Sequence, residues 1–222
     1  MGAGHAGCTA VTVVLLLGLW RHWGGFGWVE ALGFATGMWG VWLQALESHW
    51  NWPIQLVSSA VYVVVFFGAR LYADTTLNVV DVVLYGLGWY WWLFGGERFR
   101  RLEIAHLTWR MAAILSVIGV AGSVVLTAVL IRVHDSAPPL DAVTTVASLI
   151  ATFMMGRKLM ESWWLWIVVN LVYIVMYLVR GLDLTAVLYL LFAIFSVAGL
   201  LGWRRIEHER ALKSAAEVEA LA

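Results

Sequence analysis

Seven stretches of this chain are apolar over nearly the whole length that a hydrocarbon layer requires, and they leave little freedom of fold. They run Trp28–Leu46, Pro53–Leu71, Thr76–Phe94, Met111–Ile131, Leu140–Met155, Trp163–Val179 and Leu184–Trp203. In lipid no water satisfies the backbone, so a spanning segment bonds to itself as a helix or joins a closed barrel. These stretches lack the alternation of barrel strands and approach the roughly 20 residues that a spanning helix needs. The fifth and sixth are slightly short, and their flanking Trp and basic residues extend them at the interface. Composition agrees: of 222 residues only 13% are charged, about half the 25% of a soluble domain. The expected fold is an all-α membrane protein, with the lipid bilayer as its solvent. A net charge of zero gives no reason to expect a nucleic-acid partner, and a single cysteine, Cys8, excludes an intrachain disulfide or a multi-Cys metal site. No metal and no cofactor are expected.

Residues 1–27 form an N-terminal segment. Within it Ala10–Trp20 is apolar for only half a span before Arg21, His22 and Gly24–Gly25 stop it, which suits a partial or interfacial extra helix, an eighth element. The tail 204–222 is charged and Ala-rich, a short solvated helix by expectation. Basic residues fix the orientation. Arg21, Arg70, Arg132 and Arg180 fall on one side of the seven-helix core. Arg98, Arg100, Arg101, Arg110, Arg157, Lys158, Arg204, Arg205, Arg210 and Lys213 fall on the other. Ten against four places the C-terminus in the cytoplasm of a multi-pass inner (plasma) membrane protein.

The core repeats. A shift of 114 residues carries Glu47-Ser48-His49-Trp50-Asn51-Trp52 onto Glu161-Ser162-Trp163-Trp164-Leu165-Trp166, and Leu87-Gly88-Trp89 onto Leu201-Gly202-Trp203. That offset spans four helices, so the halves share an orientation. The implied plan is three helices (28–107), a linker helix (108–134) and three helices again (135–203). Parallel repeats of this kind build transporters, with the substrate between the halves.

Polar side chains in a span are costly and face the bundle interior or a water path. On the second helix Gln55, Ser58, Ser59 and Tyr62 share one face, and on the third Asn78, Asp81, Tyr85, Trp89 and Trp92 do. The fifth carries Asp141, Thr145, Ser148 and Thr152, and the sixth Trp163, Trp166, Asn170, Tyr173 and Tyr177. Each stripe also has an ordinary reading: Ser and Thr bond to their own helix, Asn glues helices together, and Trp and Tyr form interfacial belts. Asp81 resists that reading most, being the most interior acid in a core with no Lys or Arg at the middle of any span. Aromatic faces, amides and one carboxylate suit a planar, polar, cationic organic molecule of nucleoside size.

The residues that carry these stripes are also those of a known family. Trp50-Asn51-Trp52-Pro53, Leu87-Gly88-Trp89-Tyr90-Trp91-Trp92 and Trp163-x-x-Trp166-x-x-x-Asn170 resemble the PnuC-type vitamin transporters over about Trp28–Trp203. The resemblance implies a seven-helix 3+1+3 parallel-repeat core related to the SWEET sugar transporters, and a homotrimer. It implies uptake of nicotinamide riboside by facilitated diffusion, with intracellular phosphorylation as the trap. It implies that Trp163 and Trp166 stack on the heterocycle and that Asn170 bonds to it, and makes Asn78 a shortened equivalent of a family glutamine. Gln55, Asp81 and Trp91 depart from the family pattern. The expected substrate-binding set is Trp163, Trp166, Asn170, Asp81, Asn78, Gln55, Tyr85, Trp89 and Tyr173. Thiamine, also a cation, is the alternative substrate; the added carboxylate counts against neutral riboflavin.

Other classes fit less well. A membrane-embedded enzyme or haem protein finds no catalytic set in the spans, because all six histidines (His5, His22, His49, His106, His134, His208) lie outside span centres. A retinal photoreceptor needs a lysine in its last helix, and the only lysines are Lys158 and Lys213. Gly33, Gly37, Gly40, Gly86 and Gly88 supply the close, adjustable packing that rocking bundles need.

Overall fold

The computed structural model of the chain describes residues 9, 12–13, 28–68, 72–96, 101–132, 138–179, 181 and 183–221. The N-terminal element expected over Ala10–Trp20 lies outside the described residues apart from Thr12 and Val13, which are helical. Trp39 Nε1 donates to Thr12 Oγ1 at 3.1 Å. Arg21, Arg70, Arg98, Arg100 and Arg180 of the orientation argument, with His5, His22 and His134, also lie outside them.

Seven helices follow: α1 Trp28–Ala45, α2 Asn51–Gly68, α3 Tyr72–Phe94, α4 Trp109–Arg132, α5 Pro138–Gly156, α6 Ser162–Val179 and α7 Asp183–Leu221. Each matches an expected apolar stretch within a few residues, except that α7 runs on unbroken through the charged tail. After Gly202 the sequence has no Gly or Pro, and Arg205 Nε bonds to Glu209 Oε1 at 2.8 Å one turn on. Helix propagation adds one bond per residue fixed, so nothing stops it at the edge of the span. Parts of α3 to α7 meet the length and apolarity needed to cross a membrane, five candidate spans among the described residues. Their outward side chains, such as Val117, Val124, Val168, Val175 and Leu201, are exposed and apolar.

Six of the helices close a ring. α1 packs on α2, α2 on α3, α3 on α5, α5 on α6, α6 on α7, and α7 back on α1. The seventh, α4, stands outside, packed on α5 and with no buried residue.

Ring contacts recur with a shift of 111 residues. Trp52 and Trp163 are both fully buried, and each indole fills the notch of a glycine, Gly88 and Gly199. Trp92 Nε1 donates to Met155 O at 3.0 Å, and Trp203 Nε1 to Gln44 O at 3.2 Å. The loops after α1 and α5 end their helices alike: the N–H groups of Glu47 and Lys158 return to Gln44 O and Met155 O, and those of Ser48 and Leu159 to Leu43 O and Met154 O. This is the Schellman arrangement, with Glu47 (φ 57°) and Lys158 (φ 53°) in the left-handed position. The shift of 114 read from the sequence is therefore displaced by three residues. Three residues is nearly one turn, so the displaced register lays Trp over Trp on the same helical face.

Gly88 and Gly199 admit no Cβ, since one built there would lie 2.6 Å and 2.5 Å from the indole carbons. Gly88→Ala and Gly199→Ala should each lower stability by about 1–3 kcal/mol, as overpacking does. Gly68→Ala, with nothing within 4 Å, should not. Thermal melts of the three purified variants check this.

Candidate functional site

The ring surrounds a partly open cavity of about 300 Å³, at the small end of the range for ligand sites. Every ring helix contributes to its wall: Gly37, Val41 and Gln44 from α1, Gln55 from α2, Leu77, Asp81 and Tyr85 from α3, Thr145, Ser148, Leu149 and Thr152 from α5, Trp163, Trp166, Asn170 and Tyr173 from α6, and Tyr189, Phe192 and Ser196 from α7. Of the residues expected from the sequence, Gln55, Asp81, Tyr85, Trp163, Trp166, Asn170 and Tyr173 meet here. Asn78 and Trp89 do not line the cavity. Asn78 is next to Leu77, which does, and Trp89 packs against the buried tryptophan cluster. From the α5 stripe Thr145, Ser148 and Thr152 line the wall and Asp141 does not.

Two faces went unread in the sequence. Gly37, Val41 and Gln44 on α1 and Tyr189, Phe192 and Ser196 on α7 follow helical spacing, but only Gln44 and Ser196 are markedly polar. The signal available was the shift of 111, which pairs Tyr85 with Ser196 and Asp81 with Phe192.

The polar groups of the wall are only partly satisfied. Asn170 Nδ2 donates to Ser196 Oγ at 3.3 Å, and Ser196 Oγ donates to Phe192 O at 2.8 Å. Asn170 Oδ1 and the indole N–H groups of Trp163 and Trp166 are buried without a hydrogen-bond partner. Each such group costs about 1–3 kcal/mol when left unpaired, and all three lie below the cavity surface, so their side chains must turn before they meet an occupant. Gln55 is held by its Nε2 bond to Asn51 Oδ1 at 3.4 Å, and its side chain packs so close to Gly40 that a Cβ there would lie 2.9 Å away. Tyr173 and Tyr189 lie with their ring centroids 4.6 Å apart, and Tyr177 stacks on Tyr189 at 5.2 Å. No described Lys or Arg lines the cavity beside Asp81.

At the end of the ring that carries the α7 tail, the cavity meets a layer of indoles. Trp52, Trp92, Trp163 and Trp203 contact one another with centroids 5.4–5.8 Å apart. Beyond them lies a second, polar cavity lined by Glu47, His49, Trp92, Arg101, Glu103, Lys158 and Arg210, among others.

The family model for the nicotinamide mononucleotide transporter matches residues 27–205, the whole ring with its linker. The chain belongs to that transporter family. It is accordingly a multi-pass membrane transporter and not an enzyme. The nicotinamide riboside transporter PnuC of Escherichia coli (strain K12) is 25% identical over 210 residues, covering 82% of this chain and 87% of that one. PnuC of Neisseria mucosa is 28% identical over 192 residues, covering 81% and 73%. The riboflavin/roseoflavin transporter RibM of Streptomyces davaonensis is 25% identical over 182 residues, covering 79% and 84%. Among solved structures the vitamin B3 transporter PnuC has the same fold, with a TM-score of 0.71, 23% identity and 92% of both chains covered.

Outside the spans a histidine clamp ties the tail to the loops. His106 Nδ1 meets Glu161 Oε1 and His106 Nε2 meets Glu207 Oε1, both at 2.9 Å. Two carboxylate acceptors suit an imidazolium, which alone donates from both nitrogens, and hydrogen bonds to Glu161 and then Glu207 raise the His106 pKa. A raised folded-state pKa gives stability that is complete below the unfolded value near 6.5 and is lost as pH climbs through the folded one. The melting temperatures of the wild type and His106→Asn should therefore differ more at acid pH than at alkaline pH. An equal gap at both would show that the clamp does not titrate.

Proposed function

We propose that this chain carries nicotinamide riboside into the cell by facilitated diffusion. The observation that bears this is the central cavity in which one carboxylate, Asp81, has no described cation beside it, while aromatic residues and unpaired amide and indole groups complete the wall. The pyridinium of nicotinamide riboside supplies the missing positive charge, and its carboxamide offers the donor and acceptor that Asn170 Oδ1 and the indoles of Trp163 and Trp166 lack. Trp166 and Tyr173 present faces for stacking. The family description names the mononucleotide, but a phosphate beside Asp81 would bring like charges together in a site of low dielectric. The riboside is thus the better fit to this wall. Asn78 and Trp89 would serve the site from behind, outside its lining. Thiamine, whose thiazolium carries the same charge, is the second reading; neutral riboflavin leaves Asp81 without a counter-charge.

In this reading the ring is two three-helix halves, 28–107 and 135–203, in a 3+1+3 parallel arrangement of the SWEET kind. The linker 108–134 joins them, and residues 1–27 and 204–222 flank the core. The ring contacts that recur at 111 residues support that arrangement. The halves rock around the cavity to expose it to each side in turn, with the tail in the cytoplasm, where phosphorylation traps the substrate. The exposed apolar face of α4 supports the homotrimer.

Binding of nicotinamide riboside, its neutral dihydro form, thiamine, riboflavin and nicotinamide mononucleotide to the purified protein tests the assignment. Nicotinamide riboside should bind most tightly. Asp81→Asn should weaken it at least tenfold while changing the dihydro form little, and equal losses would remove charge recognition. Trp166→Ala and Asn170→Ala should each impair uptake while the protein still inserts into the membrane. Normal uptake in both would take α6 out of the site.

A further inference from the structure

Residues related by a two-fold touch each other only at the axis itself. In this ring the shift of 111 residues pairs Trp92 with Trp203 and Glu47 with Lys158, and both pairs are in contact. The Trp92 and Trp203 rings lie 5.8 Å apart, and Lys158 Nζ donates to Glu47 Oε1 at 2.7 Å. Two barriers are therefore stacked on the line between the halves, an aromatic one next to the central cavity and an ionic one beyond it.

We propose that the Lys158–Glu47 pair is the gate of the translocation path at the tail end of the ring. Its side chains are nearly buried, with 5% and 13% of their surfaces exposed. Lys158 Nζ also donates to Leu102 O at 2.8 Å and sits 4.5 Å from the centre of the Trp92 ring, so the ionic barrier rests on the aromatic one. Arg210 Nη2 reaches the second Glu47 oxygen at 2.8 Å, bringing the tail into the same bond network. A solute leaving the cavity along the axis has to part all of these.

The chemistry suits a gate that opens. A buried ion pair gains little over its separated, hydrated charges, because attraction and desolvation nearly cancel. The groups around it are already polar: the cavity of about 300 Å³ outside the indole layer is lined by Glu47, Arg101, Glu103, Lys158 and Arg210. Parted charges find water and counter-charges there. A purely apolar plug of the same size would have to expose its surface to water at full cost each time the path opened. The left-handed backbone at both residues serves the same end, since it turns the chain sharply at the helix ends and holds the two side chains opposite each other.

The inference rests on transport through the central cavity but not on which vitamin is carried, and the test separates the two. On a Cys8→Ser background, Glu47→Cys and Lys158→Cys together place two thiols across the axis. Joining them with a cleavable bifunctional thiol reagent should arrest nicotinamide riboside uptake into proteoliposomes, and cleavage should restore it. Uptake at the same rate with the link intact would overturn the proposal. The second arm needs no substrate and no paired thiols. With Ser148→Cys in the cavity wall as reporter, Glu47→Gln should speed labelling by a membrane-impermeant maleimide several-fold from the tail side only. Unchanged labelling, or a rise from both sides alike, would overturn the gate whatever the vitamin proves to be.

Discussion

Four buried indoles hold this ring together, and their geometry sets almost everything else in it. Trp52 and Trp163 bring α2 onto α3 and α6 onto α7 by filling glycine notches, which locks each pair at a distance no larger residue permits. Trp92 and Trp203 reach across to the ends of α5 and α1, each adding a second donor to a carbonyl that already closes the helix end, Met155 O and Gln44 O. Hydrophobic attraction between helices is weak in lipid, so close packing and interhelical hydrogen bonds carry the association. These residues supply both at once, at one end of the ring. Away from that end the wall is left to tyrosines and Asp81. The central cavity is the space that such one-sided anchoring leaves.

The same division explains what the sequence disclosed and what it withheld. Helix positions were legible because a bilayer imposes length and apolarity together, and seven stretches met both. The site was legible wherever polarity marked it: Asp81, Gln55 and Asn170 stand out in apolar helices. It was hidden where the wall is made of residues that lipid also tolerates, such as Gly37, Val41 and Phe192. The repeat was visible, but its register was not, since tryptophans one turn apart share a face and only the glycine notches fix which one is structural. Least legible of all was the polar network of Glu47, Lys158, Arg210, His106, Glu161 and Glu207. Its members lie far apart in the chain, and charges near span ends look like topological signals when read singly.

Charge is distributed in two opposite manners. Within the bilayer the cavity holds a carboxylate and no described cation in its wall. At the tail end Glu47, Glu161, Glu207 and Glu209 each have a cation or imidazole beside them. Burial lowers the Lys158 pKa, and the hydrogen bond that Lys158 donates to Glu47 works against that fall.

The unbroken run of α7 has a mechanical meaning. From Trp203 to Leu221 the helix projects roughly 27 Å at 1.5 Å per residue, with no proline or glycine to act as a hinge. Such a segment is a stiff arm, held to the loops at Glu207 and Arg210 and rooted at the indole layer. A tilt of α7 too small to disturb its packing on α6 would sweep the far end through several ångströms. Whatever grips that end holds a long arm on the wall of the cavity.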